Sequence, residues 1–159
     1  MWTINLLRVR KARRAAVATI SPMVERSRRN FGAIPDATWS DPYVVGFMMM
    51  LITMVARATS AKIDGDALCV VQETAWRDIT RRRQSPIGED VLLFSRANNP
   101  DFDLGCRDAM SLGSILACSL EMEREWAEPG PQEPEEANLD RENLFATWAQ
   151  LFETHISPG

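Results

Sequence analysis

The sequence predicts an all-α single domain, residues 1–159, built as a bundle of six to seven helices around a central apolar helix at about 42–59. Three observations carry this. Apolar residues recur at helical spacing from end to end. No stretch of four to eight residues alternates cleanly as a half-buried strand would, and no Asn-Gly or Asp-Gly turn joins two such runs. Serine or aspartate followed by proline, the signature of a helix start, occurs at Ser21-Pro22, Asp41-Pro42 and Ser85-Pro86.

In chain order, Trp2, Leu6, Val9, Ala12, Ala16 and Ile20 step by three or four, with Arg8, Arg10, Lys11 and Arg14 around the other side. This spacing predicts a basic amphipathic helix over about 2–20. Ser21-Pro22 predicts a second short helix to Asn30, or a kink in one longer helix, with Gly32 as the stop. From Pro42 to about Thr59 the run YVVGFMMMLITMVA leaves no polar face, so this helix needs neighbours all round and is expected at the centre, its methionines as core filling.

Ser60–Gly65 reads as a turn. Leu68, Val71, Ala75 and Ile79 stripe the next helix, which runs to Thr80 ahead of Arg81-Arg82-Arg83. Ser85-Pro86 opens a short helix with Val91, Leu92, Leu93 and Phe94, ended by Asn98-Asn99-Pro100. A long helix, opened by Pro100 or an Asp101 cap, carries Gly105, Ala109, Leu112, Leu116 and Leu120 on one line toward Trp126, and its small residues invite close approach by a neighbour. Residues 128–137 (EPGPQEPEEA), with three prolines and four glutamates, read as an extended acidic linker. A final amphipathic helix over about 138–156, capped by Asn138, carries Phe145, Trp148, Leu151, Phe152 and His155 on one side.

Charge is sorted along this chain. Residues 1–30 hold eight cations against the single acid Glu25, whereas Glu121–Glu136 holds seven acids against Arg124 alone. Such a dipole speaks to docking and names no reaction. The candidate interaction surface is Trp2, Arg8, Arg10, Lys11, Arg13 and Arg14 on the first helix. The expected function is a non-enzymatic protein-interaction module, self-associating or binding another protein. The alternative is attachment of the same helix to an anionic membrane surface. Nucleic acid is the weaker variant of that alternative, because a net charge of −4 and a pI near 5.1 are far from a duplex-binding domain.

Several chemistries lose their residues. His155 is the one histidine, and Cys69, Cys106 and Cys118 are too far apart for a zinc site. Asn99-Pro-Asp101-Phe-Asp103 starts like a calcium loop, but Leu104 stands where its glycine belongs and Met110 where its glutamate belongs. Cys69 and Cys118 read as small buried hydrophobes, and His155 as a half-buried aromatic or a helix-end cation. No nucleophile elbow, phosphate loop or dinucleotide fingerprint occurs among the eight glycines, so no cofactor and no catalytic residue is expected. An odd cysteine count points to a reducing compartment. Ser27–Phe31 resembles the start of a bacterial twin-arginine export signal, but the apolar segment is displaced by Gly32–Asp41, so the cytoplasm is expected.

Overall fold

The computed structural model describes residues 2–82, 87–125 and 135–156, with side chains over 5–82, 87–116 and 141–156. The described residues form helices and the turns between them, with no strand. The helices are α1 (Trp2–Phe31), α2 (Pro42–Thr59), α3 (Gly65–Thr80), α4 (Ile87–Arg96), α5 (Pro100–Glu125) and α6 (Glu135–Leu151). Short 3-10 turns at Asp36–Ser40 and Glu153–His155 flank α2 and α6.

The apolar helix α2 is the hub. Eleven of its residues, from Tyr43 to Ala56, are buried, and the other five helices close round it, α1 beside α3, α3 beside α4, α4 beside α5, α5 beside α6 and α6 beside α1. Its tightest partner is α5. The Cβ that alanine would bring to Gly105 falls 2.1 Å from the Tyr43 carbonyl oxygen, and one at Gly46 falls 2.2 Å from that of Phe102. Each helix therefore supplies one glycine where the other's backbone passes, and Gly113 faces Met54 further along, so the two helices run parallel. The line Gly105, Ala109, Leu112 and Leu116 is buried, as its spacing predicts; Leu120 lies outside the described side chains.

An aromatic cluster fills the space between α2, α3 and the end of α6. Trp39, from the first 3-10 turn, meets Trp76 edge-on at 5.9 Å and Phe152 at 5.8 Å. Phe47 of α2 lies 5.8 Å from Trp148, which stacks on Phe152 at 4.4 Å. Met48 and Met49 are buried, in keeping with core filling.

Caps explain several ends. The Asp41 carboxylate accepts from the Val44 N–H at 3.2 Å, and that of Asp64 accepts from Ala67 at 2.8 Å. Gly32 ends α1 at φ +76°, the left-handed conformation glycine tolerates.

Of the two readings for the first thirty residues, the single longer helix holds: Pro22 sits on the solvent side, where the Ala18 carbonyl it leaves without a donor can meet water. The structure corrects other expectations. Asn99, and not Asp101, caps α5: its side-chain oxygen accepts from the N–H groups of Asp101 and Phe102 at 3.0 and 3.1 Å, and Pro100 between them has no N–H to satisfy. Helix α6 starts at Glu135, earlier than Asn138, since Glu135 and Glu136 suit the positive end of a helix. It stops at Leu151, where the chain tightens into a 3-10 turn. Cys69 is exposed, because the buried line of α3 runs through Leu68, Val71, Ala75 and Ile79 and leaves the next residue about 100° away. On α4, Leu92 and Leu93 are 50% and 62% exposed while Val91 and Phe94 pack inward. Ser85-Pro86, the side chains of Cys118 and Trp126, and residues 128–134 lie outside the described residues.

Candidate functional site

The candidate surface belongs to α1, and the rest of the fold decides which of its residues remain available. Ala12, Ala16, Ile20, Met23 and Val24 are buried and set the inner face. Two flanks are then occupied by neighbouring helices.

Toward α3 the contacts are charged. Arg13 reaches Asp78 through Nε at 2.7 Å and a terminal nitrogen at 2.6 Å. Arg28 donates to the Ile79 carbonyl at 2.9 Å and pairs with Glu25, whose carboxylate also receives Arg81 at 2.9 Å. The Asn5 amide donates to Asp64 at 3.1 Å. The Asp64 carboxyl is held below its ordinary value first by the Ala67 N–H, then by Asn5, with the Arg8 charge assisting.

Toward α6 the contacts are aromatic and hydrogen-bonded. Arg26 lies over the Phe145 ring at 4.4 Å. The Trp148 indole donates to the buried Ser27 hydroxyl at 2.9 Å, and Ser27 donates in turn to Glu153 at 2.7 Å. Successive contacts from Arg26–Phe145 to Asn30–Glu153 show that α1 and α6 run parallel.

The outer face remains. Leu7, Lys11, Arg14 and Ala18 follow one another at helical spacing, all exposed, with Leu7 at 65% and Arg10 beside them. Arg10, Lys11 and Arg14 make no ion pair among the described residues. The six residues singled out in the sequence therefore separate: Arg8 and Arg13 face the protein's own acids, Arg10, Lys11 and Arg14 face solvent, and the Trp2 side chain lies outside the described set.

Sequence reasoning missed the continuation of this face. An open groove of about 560 Å³ between α1 and α6 is lined by Pro22, Glu25, Arg26, Arg29, Asn30 and Phe145. Arg26 and Arg29 were visible only as members of a charge run, and Phe145 as one position in a stripe far along the chain. Their meeting depends on how α6 docks.

A second polar cluster joins α2, α5 and the last 3-10 turn. The Tyr43 hydroxyl donates to Asp108 at 2.8 Å, and the His155 ring stacks on Tyr43 with centroids 3.7 Å apart. Burial, then the Asp108 bond and charge, push the phenol well above its ordinary value, so it stays protonated. Burial also raises the Cys106 thiol, which donates to the Gly46 carbonyl at 3.4 Å. These groups tie elements together. Half-buried His155 matches the aromatic role its position suggests.

Among the described residues no group of three or more histidines, cysteines or acids is placed to hold a metal ion. Helix α2 is long and apolar enough to cross a membrane, yet most of it is buried inside the bundle. The arrangement defines an all-α bundle with one cationic helix face. No protein-family model matches the chain, and neither does any curated protein or solved structure.

Proposed function

We propose that this chain is a non-catalytic, cytoplasmic protein-interaction module that binds acidic partners through the outer face of α1. The carrying observation is the division of labour on that helix: its inner face and flanks are committed to α2, α3 and α6, while Arg10, Lys11 and Arg14 stand exposed beside Leu7 without ion pairs among the described residues. Cations next to an exposed leucine offer charge for steering and apolar area for holding, a combination suited to an acidic amphipathic segment. The unbridged thiols of Cys69 and Cys106 agree with a reducing compartment.

The test is calorimetric titration with an acidic polypeptide such as polyglutamate. R10Q/K11Q/R14Q is expected to weaken binding at least tenfold with the fold intact by circular dichroism, and unchanged binding would sink the reading. A second reading, attachment to an anionic membrane, is favoured by Leu6 and Leu7, 53% and 65% exposed at the start of the same helix. Co-sedimentation with phosphatidylserine vesicles, and none with phosphatidylcholine vesicles, would replace the protein partner with a lipid surface.

A further inference from the structure

Helix α4 holds to the bundle by one side. Ile87 is buried, and Val91 and Phe94 pack against the core, the Phe94 ring lying 6.1 Å from that of Phe102. Across the helix from them stand Leu92 and Leu93, 50% and 62% exposed, between Glu89 and Arg96, which are exposed as well. Glu89, Leu92, Leu93 and Arg96 follow one another at i, i+3, i+4 and i+7, so they form a single stripe along the outer face. Neither charge has an ion-pair partner among the described residues. Neighbouring apolar residues framed by charges of opposite sign are what a helix-pairing seam is made of.

The stripe is complementary to itself in reverse. Its centre falls between Leu92 and Leu93, with Glu89 as far out on one side as Arg96 is on the other. Two copies of α4 laid antiparallel about a two-fold axis through that centre set Leu92 against Leu93 of the second copy, and Glu89 against Arg96 at both ends. The two charges are about 10 Å apart along the helix, so both cross-pairs form in the same register. Laid parallel, the same stripe would set Glu89 against Glu89 and Arg96 against Arg96. Charge therefore selects the antiparallel arrangement. A patch that matches its own reverse is the requirement for a two-fold dimer, in which each copy presents the same surface.

We propose that the outer face of α4 is a self-association surface, on which Leu92 and Leu93 pack against those of a second copy of this chain in an antiparallel, two-fold dimer. A contact built on one ten-residue helix, about 15 Å long, covers well under the about 800 Å² per partner of a standard interface. The dimer is therefore weak and exchanges with monomer. It uses a different helix from the cations of α1, so it stands or falls apart from the acid-binding reading.

The experiment is sedimentation equilibrium of the full chain up to about 1 mM, the range in which weak dimers form. The mass is expected to rise from 17.9 kDa toward twice that value, and L92S/L93S to remain at 17.9 kDa throughout. Both leucines face solvent, so this variant keeps the fold, which circular dichroism checks. Charge reversal supplies a second arm that a folding defect cannot imitate. E89R alone and R96E alone each place like charges across the seam and should weaken the dimer about tenfold, while E89R/R96E restores opposite charges at both ends and should recover it. A mass of 17.9 kDa at every concentration overturns the second copy. A dimer that persists in L92S/L93S overturns the α4 face, and one lost in R10Q/K11Q/R14Q instead transfers self-association to α1. Failure of E89R/R96E to recover what the single reversals lose overturns the antiparallel register.

Discussion

The contact of α2 with α5 and that of α1 with α3 hold the same bundle by opposite means. Between α2 and α5, backbones approach so closely that Gly46 and Gly105 have no room for a methyl group. Between α1 and α3, an apolar seam is rimmed by long side chains, Arg13 to Asp78 and Arg81 to Glu25, each partly exposed. The first contact is fixed by shape and tolerates no addition. The second is trimmed by charge, and exposed pairs contribute little, about 0–1 kcal/mol each. The molecule thus keeps its tightest contact at the centre and its exposed charge at the edge.

That contrast breaks most sharply at glycine. Gly105→Ala forces a Cβ onto the Tyr43 carbonyl and is expected to cost at least about 3 kcal/mol in urea unfolding, since backbone cannot yield as a side chain can. Gly113→Ala is the control: its clash is with the flexible end of Met54, and a loss near 1 kcal/mol is expected. Equal losses at both positions would contradict a backbone-limited contact.

Next in size is Ser27→Ala, which leaves the buried Trp148 indole without its acceptor and Glu153 without its closest donor. The expected loss is about 2 kcal/mol, with near-ultraviolet circular dichroism of the tryptophans changing in step.

Tyr43→Phe removes the bond to Asp108 for about 1 kcal/mol at neutral pH. The alkaline limb sharpens this. The phenol is raised in the fold, so its contribution is complete below the unfolded value near 10 and is lost as pH rises from there toward the raised folded value. A phenylalanine side chain has no proton to lose there, so wild type and variant should converge above pH 10 in melting experiments.

The smallest effect belongs to the rim. Arg13→Ala and Asp78→Ala should each change stability by less than about 1 kcal/mol, with a coupling in a double-mutant cycle that fades in salt.

How much of this was legible in the sequence follows the range of the interactions. Asp41-Pro42 and the apolar run place α2 at Pro42–Thr59, because caps and periodicity act within one or two turns. Gly105 on a small-residue line announces a close neighbour without naming Gly46, whose own helix is apolar all round. The cap at Asn99 was hidden because several adjacent residues can cap equally well. On the candidate surface, composition marks the cations together. Only the placement of α3, which brings Asp78 to Arg13 and Asp64 near Arg8, separates them from Arg10, Lys11 and Arg14. The groove required Phe145 to meet Arg26 across more than a hundred residues, which no local pattern encodes.

The late arrival of α6 matters for how the protein is made. Trp39, Tyr43 and Phe47 leave the ribosome long before Trp148, Phe152 and His155, the rings that cover them. At ordinary synthesis rates the roughly one hundred intervening residues take about 5–20 s. During that interval the nascent chain exposes an aromatic face that its last turns later cover.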